Sequence, residues 1–401
     1  MNRIIRNLAE VIDEKVLHGQ YVDRLKFIRN INCYHKKNQK RVLFSYTNAN
    51  FYTEKEKILH SNTLEMNEIL KFFINKDFCI DVVDCLYNNF TYRTGTYDIV
   101  FGQGIPFVKS KEDKNVKRIG YLTEAYPGVS SILEKERMNY YFERHKYKKN
   151  ASKVFIRPNT FHYINDDLLY ISDYLICLGN KWTISTYPKD IREKIINFFP
   201  TAIINENFSF DTKMSYKNTL KDDKRIFIWF GSQGSGHKGL DIVLDAFAEL
   251  DLNNVELWIF GLNKKEYKFF KTYFHNNNNI KNFGTIKVKN DEFLEVAKQG
   301  DFVILPSCSE GMSTSVLTCM AHGCVPIITK EAGVDIIEDS GFILKDYRVE
   351  TVKNIIKKVT KIPKNTLLKM QEKNYSYARN KFSLENFYKE FSEIMNKILE
   401  K

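Results

Sequence analysis

No stretch of about 18 apolar residues occurs in this chain of 401 residues, which argues against a membrane-spanning helix. No basic segment followed by an apolar one opens the sequence, so no secretory signal is expected. Seven cysteines (Cys33, Cys79, Cys85, Cys177, Cys308, Cys319, Cys324) include no Cys-x-x-Cys pair, and several lie in apolar runs. All are therefore read as reduced core or near-site thiols, which predicts a cytoplasmic protein. The formal charge is +12, yet lysines are dispersed among acids and no nucleic-acid module is recognisable. Nucleic acid is thus not the expected partner. Phosphorylated substrates or anionic lipid headgroups suit this charge better, and peripheral association with an anionic membrane is compatible with it.

What is present is apolar content (43%) and aromatic content (14%) sufficient for two sizeable cores. Residues 1–40 form a basic lead with Ile5, Leu8, Val11, Ile12, Val16 and Leu17 at helical spacing, read as a helical extension packed on the next domain. Arg41–Tyr46 reads as a strand, and Asn62 with Glu65 as a capping box before a helix over Leu64–Phe73. Strands over Cys79–Val83, Tyr97–Phe101 and Arg118–Leu122 follow. Strands alternating with helices predict an α/β domain over 41–205 with a mostly parallel sheet. Residues 206–224 are polar without periodicity and read as a linker, 225–375 as a second domain, and 376–401 as a terminal helix that can cross back to the first.

The most telling segment is Asp301–Gly323. Phe302–Leu305 reads as a buried strand stopped by Pro306, and helical spacing resumes near Ser315 and ends at Gly323. Between them lie Glu310, Gly311, Ser313 and Thr314. Hydroxyls and open amides at a helix start favour a bound phosphate, whereas Glu310 suits sugar hydroxyls beside it. The alternative is a capped helix with a solvated glutamate. A second such unit consists of the strand Phe227–Phe230, the loop Gly231-Ser-Gln-Gly-Ser-Gly-His-Lys-Gly239 and an amphipathic helix from Leu240. The loop is not a P-loop, because His237 precedes Lys238 and Gly239 stands where a magnesium-binding hydroxyl belongs. Glycines at 231, 234 and 236 also fail the dinucleotide fingerprint. The shared physics remains: glycine lets a diphosphate approach, and Lys238 neutralises it. Of the histidines, His60 and His162 read as structural or solvent-facing, and His237 as near the phosphate because of Lys238.

Pro306-Ser-Cys-Ser-Glu310-Gly-Met-Ser-Thr-Ser315 and the Gly231–Gly239 loop resemble the donor-site motifs of GT-B glycosyltransferases of the family 4 type. The resemblance covers roughly residues 225–345. It implies two Rossmann-like domains with mostly parallel sheets facing across a cleft, and transfer of a sugar with retention from a nucleotide-diphosphate donor. Glu310 and Lys238 are then the catalytic residues. Gly231, Ser232, Gly236, His237, Gly311, Met312, Ser313, Thr314, Ser315 and Thr318 form the donor site. Two positions depart from the family's pattern: Thr318 stands where it places a ribose-binding glutamate, and Ser232 where it places a phosphate-binding arginine. No cofactor is implied beyond the nucleotide sugar, and no metal, since no Asp-x-Asp triplet occurs in the chain. The implied acceptor is a glycan or lipid-linked molecule, in bacterial surface polysaccharide synthesis on the inner face of the membrane. On the acceptor side Glu124, just after the strand Arg118–Leu122, is either a base or a solvated turn residue. A sugar-nucleotide epimerase of the same fold and a noncatalytic GT-B subunit are the competing functions.

Overall fold

A computed structural model describes residues 26–34, 38–48, 60–146, 151–157, 163–220, 224–232 and 234–400. The first sheet has the order β1-β3-β2-β4-β5-β6-β7, formed by Phe27–Ile31, Arg41–Tyr46, Cys79–Asp84, Ile99–Gly102, Lys117–Leu122, Tyr174–Leu178 and Ile195–Phe198 for β1 to β7. Every pairing is parallel except β1 with β3. Its helices are α1 (Ser61–Asn75), α2 (Ile105–Val108), α3 (Pro127–Arg144), α4 (Ser152–Phe155), α5 (Asp166–Ile171) and α6 (Lys181–Ser185). The second sheet is wholly parallel, in the order β10-β9-β8-β11-β12-β13. Its strands are β8 (Arg225–Phe230), β9 (Val255–Phe260), β10 (Ile280–Gly284), β11 (Phe302–Leu305), β12 (Val325–Thr329) and β13 (Phe342–Leu344). Around it lie α7 (Phe210–Thr219), α8 (Leu240–Glu249), α9 (Lys264–Asn276), α10 (Asp291–Gln299), α11 (Thr314–Met320), α12 (Val349–Val359) and α13 (Lys364–Lys381). Burial along β9, β11, β12 and all of β2 but Arg41 follows from helices on both faces, which is why these strands are mainly apolar, with Ser45 and Glu256 as interior exceptions. The last helix, α14 (Leu384–Leu399), lies on the first domain, where Phe387, Phe391, Met395 and Ile398 share a core with Phe44, Phe101 and Phe198.

Several readings are corrected. The helical lead over 1–17 lies outside the described residues, as does His162, but within 1–40 Phe27–Ile31 is an antiparallel edge strand. Cys33, just after it, is disulfide-bonded to Cys79 of β3, while Cys85, Cys177, Cys308, Cys319 and Cys324 are free and buried. The expected capping box is absent: α1 begins at Ser61, and the buried Glu65 carboxylate accepts from the Thr201 amide at 3.1 Å. The span read as a linker contains α7. Its buried face is Phe210 with two lysine stems, and Lys213 Nζ donates to the carbonyls of Ala297 (3.0 Å), Gly300 (2.6 Å) and His322 (3.1 Å). A lysine that packs its stem and caps the carbonyl end of α10 registers as polar in a hydrophobicity pattern, so the helix has no apolar signature. Finally, the helix expected from residue 376 is two helices, which break at Phe382–Ser383, and Ser383 caps the second by accepting from the Asn386 amide.

Helix α3 belongs to the first domain by connectivity but packs along the second. Ser130 Oγ meets Ser309 Oγ at 2.6 Å, and Arg137 donates to the Pro306 carbonyl. Two turns further on, Arg144 binds Asp241 (2.6 Å) and Asp245 (2.9 Å) on α8, and His145 adds a contact to Asp245 at 2.8 Å. Spacing of 130, 134, 137, 141 and 144 puts these side chains on one face, and all five residues are buried or nearly so. The two domains are thereby held closed over the loops that follow β8 and β11.

Candidate active site at the interdomain junction

Adjacent parallel strands β8 and β11 end side by side, so the loops 231–239 and 306–313 meet at the carboxyl edge of the second sheet, where open α/β sheets bind ligands. Gly239 is in the left-handed region (φ 77°), and a Cβ there would lie 2.3 Å from the Pro306 carbonyl oxygen, so glycine is required where the loops touch. Lys238, immediately before it, sends its Nζ to Glu310 Oε1 at 2.6 Å. Ser307 Oγ donates to the same carboxylate oxygen at 3.2 Å, and His237 Nε2 stands 3.5 Å away. Burial pushes the Glu310 carboxyl up, but the Lys238 ammonium, His237 and the Arg157 guanidinium outweigh it and hold it well below the usual carboxylate range.

The first domain closes the other side. His237 is fully buried; its Nδ1 lies 3.1 Å from Glu134 Oε1 and 3.3 Å from Cys308 Sγ. Burial and the Arg157 charge disfavour its cation, yet Cys308 and the bond to Glu134 prevail and raise the imidazole to about 10. Glu134 also accepts from Arg157 Nε at 2.9 Å, and Arg157 Nη1 reaches Glu124 Oε2 at 3.3 Å. The junction thus alternates carboxylates (Glu124, Glu134, Glu310) with cations (Arg157, His237, Lys238). Glu124 is a partly exposed ion-pair partner of Arg157 rather than a solvated turn residue.

Not all expected donor-site groups are open. Gly231 donates its amide to the Phe260 carbonyl (3.2 Å), Ser313 to Ala332 (2.9 Å) and Gly236 to Val154 (3.1 Å). The amides of Gly234 and Ser235, together with the Ser235 hydroxyl, all donate to Glu266 Oε1 at 2.9 Å, so a carboxylate from α9 already fills the centre of the glycine loop. Ser232 remains partly exposed at the loop mouth. Ser313 does not cap α11 with its side chain but pairs with Ser315 Oγ at 3.1 Å, while the amides of Thr314 and Ser315 find no acceptor among the described residues. Gly311 is wedged against the first domain, where a Cβ would meet the Thr123 carbonyl oxygen at 2.4 Å, and Met312 is buried. Thr318 is drawn away from the loops: it is buried, and its Oγ1 accepts from the Ile203 amide at 3.1 Å in the segment joining the domains. His60 is exposed, within electrostatic reach of Lys238.

Glu134, Arg157 and Glu266 were missed by the reading of the sequence, whereas Cys308 is one of the cysteines expected in the core or near the site. None of the missed residues left a clear signal there: Glu134 lies in a charged run with Lys135, Glu136 and Arg137. Among the described residues no cluster of three His, Cys, Asp or Glu side chains is arranged to hold a metal ion, and no helix is long and apolar enough to cross a membrane.

Two facing, mostly parallel sheets, loops converging at their junction and a last helix returning to the first domain define a GT-B fold. Solved structures agree over about nine-tenths of the chain. Sucrose-phosphate synthase of Thermosynechococcus elongatus superposes with a TM-score of 0.61 at 10% identity, over 90% of this chain and 99% of that one. HepE of Anabaena, in complex with UDP and glucose, gives 0.57 at 12% identity, over 90% and 100% of the two chains. WaaG, a glycosyltransferase involved in lipopolysaccharide biosynthesis, gives 0.54 at 14%, over 88% and 99%. At such identities the likeness concerns the fold. More specifically, residues 211–381, which carry the second sheet and both candidate loops, match the family of group 1 glycosyl transferases. Glycogen synthases of Thermodesulfovibrio yellowstonii and Clostridium botulinum are 27% and 26% identical over 160 and 173 residues. These alignments take in 39% of this chain and about a third of the curated relatives' length (32% and 36%).

Proposed function

We propose that the protein is a glycosyltransferase that moves a sugar, with retention, from a nucleotide-diphosphate-sugar to a glycan or lipid-linked acceptor. The observation that carries this reading is the largely buried Lys238–Glu310 pair at the meeting of two strand-loop-helix units. Breaking the glycosyl–phosphate bond leaves negative charge on the departing diphosphate, and a fixed ammonium in a water-poor junction stabilises that charge more than water would. Without donor, Lys238 and Glu310 neutralise each other. With donor, Lys238 turns to the leaving phosphate, and Glu310, held ionised, accepts hydrogen bonds from sugar hydroxyls. The unbonded amides of Thr314 and Ser315 supply further donors. Because no Asp-x-Asp triplet occurs in the sequence, this stabilisation is assigned to the protein itself, and chelation is expected to leave turnover unchanged. The family match of the second domain and the UDP and glucose bound by HepE support a nucleotide-sugar donor. Bacterial surface polysaccharide synthesis at the inner face of the membrane is the setting we assign, in keeping with the +12 charge and the lipopolysaccharide role of WaaG.

Calorimetric titration with a panel of nucleotides and nucleotide sugars, beside Lys238→Ala and Glu310→Ala, tests the reading. One base class bound by the parent protein and weakened by Lys238→Ala is expected. Absence of any nucleotide binding by folded protein overturns it. A noncatalytic subunit is the second reading, favoured by Thr318, whose hydroxyl is engaged by the Ile203 amide at a position that offers no carboxylate to a ribose. Nucleotide-sugar binding with no turnover on any acceptor distinguishes it.

A further inference from the structure

We infer that Arg157, carried by the first domain, is the second cation of the phosphate subsite, so that the subsite is complete only while the domains are closed. This rests on the donor-site reading above. Both phosphates of a leaving diphosphate carry charge, whereas Lys238 is one ammonium and is already paired with Glu310. Loop residue Ser232 adds no charge. Arg157 reaches the same loop from the other side: its Cγ lies 3.5 Å from where a Gly234 Cβ would stand, and its charge acts on both Glu310 and His237.

The guanidinium is aimed and left incomplete. Its Nε is held by Glu134 at 2.9 Å, which fixes the plane, and its backbone amide donates to the same carboxylate at 3.3 Å. Nη1 is only ion-paired, at 3.3 Å, with the partly exposed Glu124. Nη2 is buried and has no hydrogen-bond partner among the described residues. A buried guanidinium donor without an acceptor is costly, and an anion at the loop mouth supplies the missing acceptor. Guanidinium groups bind phosphate through paired N–H donors, and release of Nη1 from Glu124 gives Arg157 such a pair. Glu134 is then a positioning residue that joins the first-domain arginine to second-domain His237.

The test is calorimetric titration of the full chain with inorganic pyrophosphate. Arg157→Ala is expected to weaken binding roughly 10- to 100-fold, the usual worth of a hydrogen bond to a charged group. Arg157→Lys, which keeps the charge and guards against misfolding of the alanine variant, should retain part of the affinity. Glu124→Gln, which frees Nη1, should tighten binding several-fold, and this gain should vanish when Arg157→Ala is added. A merely structural arginine would not make the glutamine variant bind better. Pyrophosphate binding lost in Lys238→Ala but kept in Arg157→Ala, or a Glu124→Gln gain that persists without Arg157, overturns the inference and leaves the donor-site reading standing. Pyrophosphate that is not bound, or is bound equally by all variants, overturns both.

Discussion

Replacing Lys238 with alanine separates two roles of one ammonium group. Its Nζ lies 2.6 Å from Glu310 Oε1, and Glu310 is 8% exposed, so the variant leaves a buried anion with Ser307 at 3.2 Å and His237 at 3.5 Å. Breaking a buried pair by removing one partner costs about 3–5 kcal/mol, and because His237 remains charged the lower end applies, about 3 kcal/mol. Turnover falls for a different reason, loss of the group facing the leaving phosphate, by ~10²–10³. The double variant Lys238→Ala/Glu310→Gln divides these effects. Removing the uncompensated charge should restore most of the stability, while turnover stays low. Urea denaturation followed by tryptophan fluorescence gives the first quantity; Trp229 reports locally, since its Nε1 donates to the Lys238 carbonyl at 3.3 Å. Release of nucleoside diphosphate from the donor chosen by calorimetry gives the second. A double variant no more stable than Lys238→Ala would refute the ion-pair argument. Single-variant turnover within a few-fold of the parent would refute the leaving-group role.

Arg144→Ala removes the cation between buried Asp241 and Asp245; a loss of about 3–5 kcal/mol is expected, with an increase in the radius of gyration by X-ray scattering as the domains part. An unchanged radius would show that other contacts of α3 suffice to hold the junction. His322 is buried neutral, its imidazole lowered to about 3 by burial and nearby cations, with Nδ1–H donating to the Thr318 carbonyl at 2.7 Å. The folded state therefore binds this proton less readily than the unfolded one: the contribution is full above pH 6.5 and is lost as pH falls towards 3, about 2 kcal/mol between pH 6.5 and pH 5. Denaturation at both pH values should show this slope reduced in His322→Gln. Gly311→Ala places a methyl 2.4 Å from the Thr123 carbonyl oxygen and 2.9 Å from that of Leu178, so the domains must separate locally; about 1–3 kcal/mol of stability and most donor binding should be lost, as measured by melting temperature and calorimetry. Chelator-treated protein should turn over at the parent rate.

Much of the second domain was legible because its signals are local. Phe302–Leu305, Pro306 and the helix to Gly323 each announce themselves within a few residues, and so do β8, the glycine loop and α8. Lys238 and Glu310 are conspicuous for the same reason, since each sits on a loop that directly follows a strand. Signals failed where a polar side chain does structural work. Lys213 and Lys217 cap carbonyls of the α10 end and so disguised α7 as linker, and Glu65 serves the Thr201 amide instead of its own helix start.

By itself, then, the sequence determined the strand and helix alternation, the count of two domains and the pair of loops on which the donor site is proposed, because burial pattern, capping and turn chemistry act over a few residues. Only the tertiary structure decided what faces those loops. Glu134 and His237 are 103 positions apart and Arg157 and Glu310 are 153 apart, so their meeting depends on how α3 and α4 dock against the second sheet. It also decided that Glu266 fills the centre of the glycine loop, that Thr318 turns to Ile203, and that Cys33 bonds Cys79. Charge pairing across a domain junction has no sequence period, and the packing that brings such groups into contact is set by the whole chain.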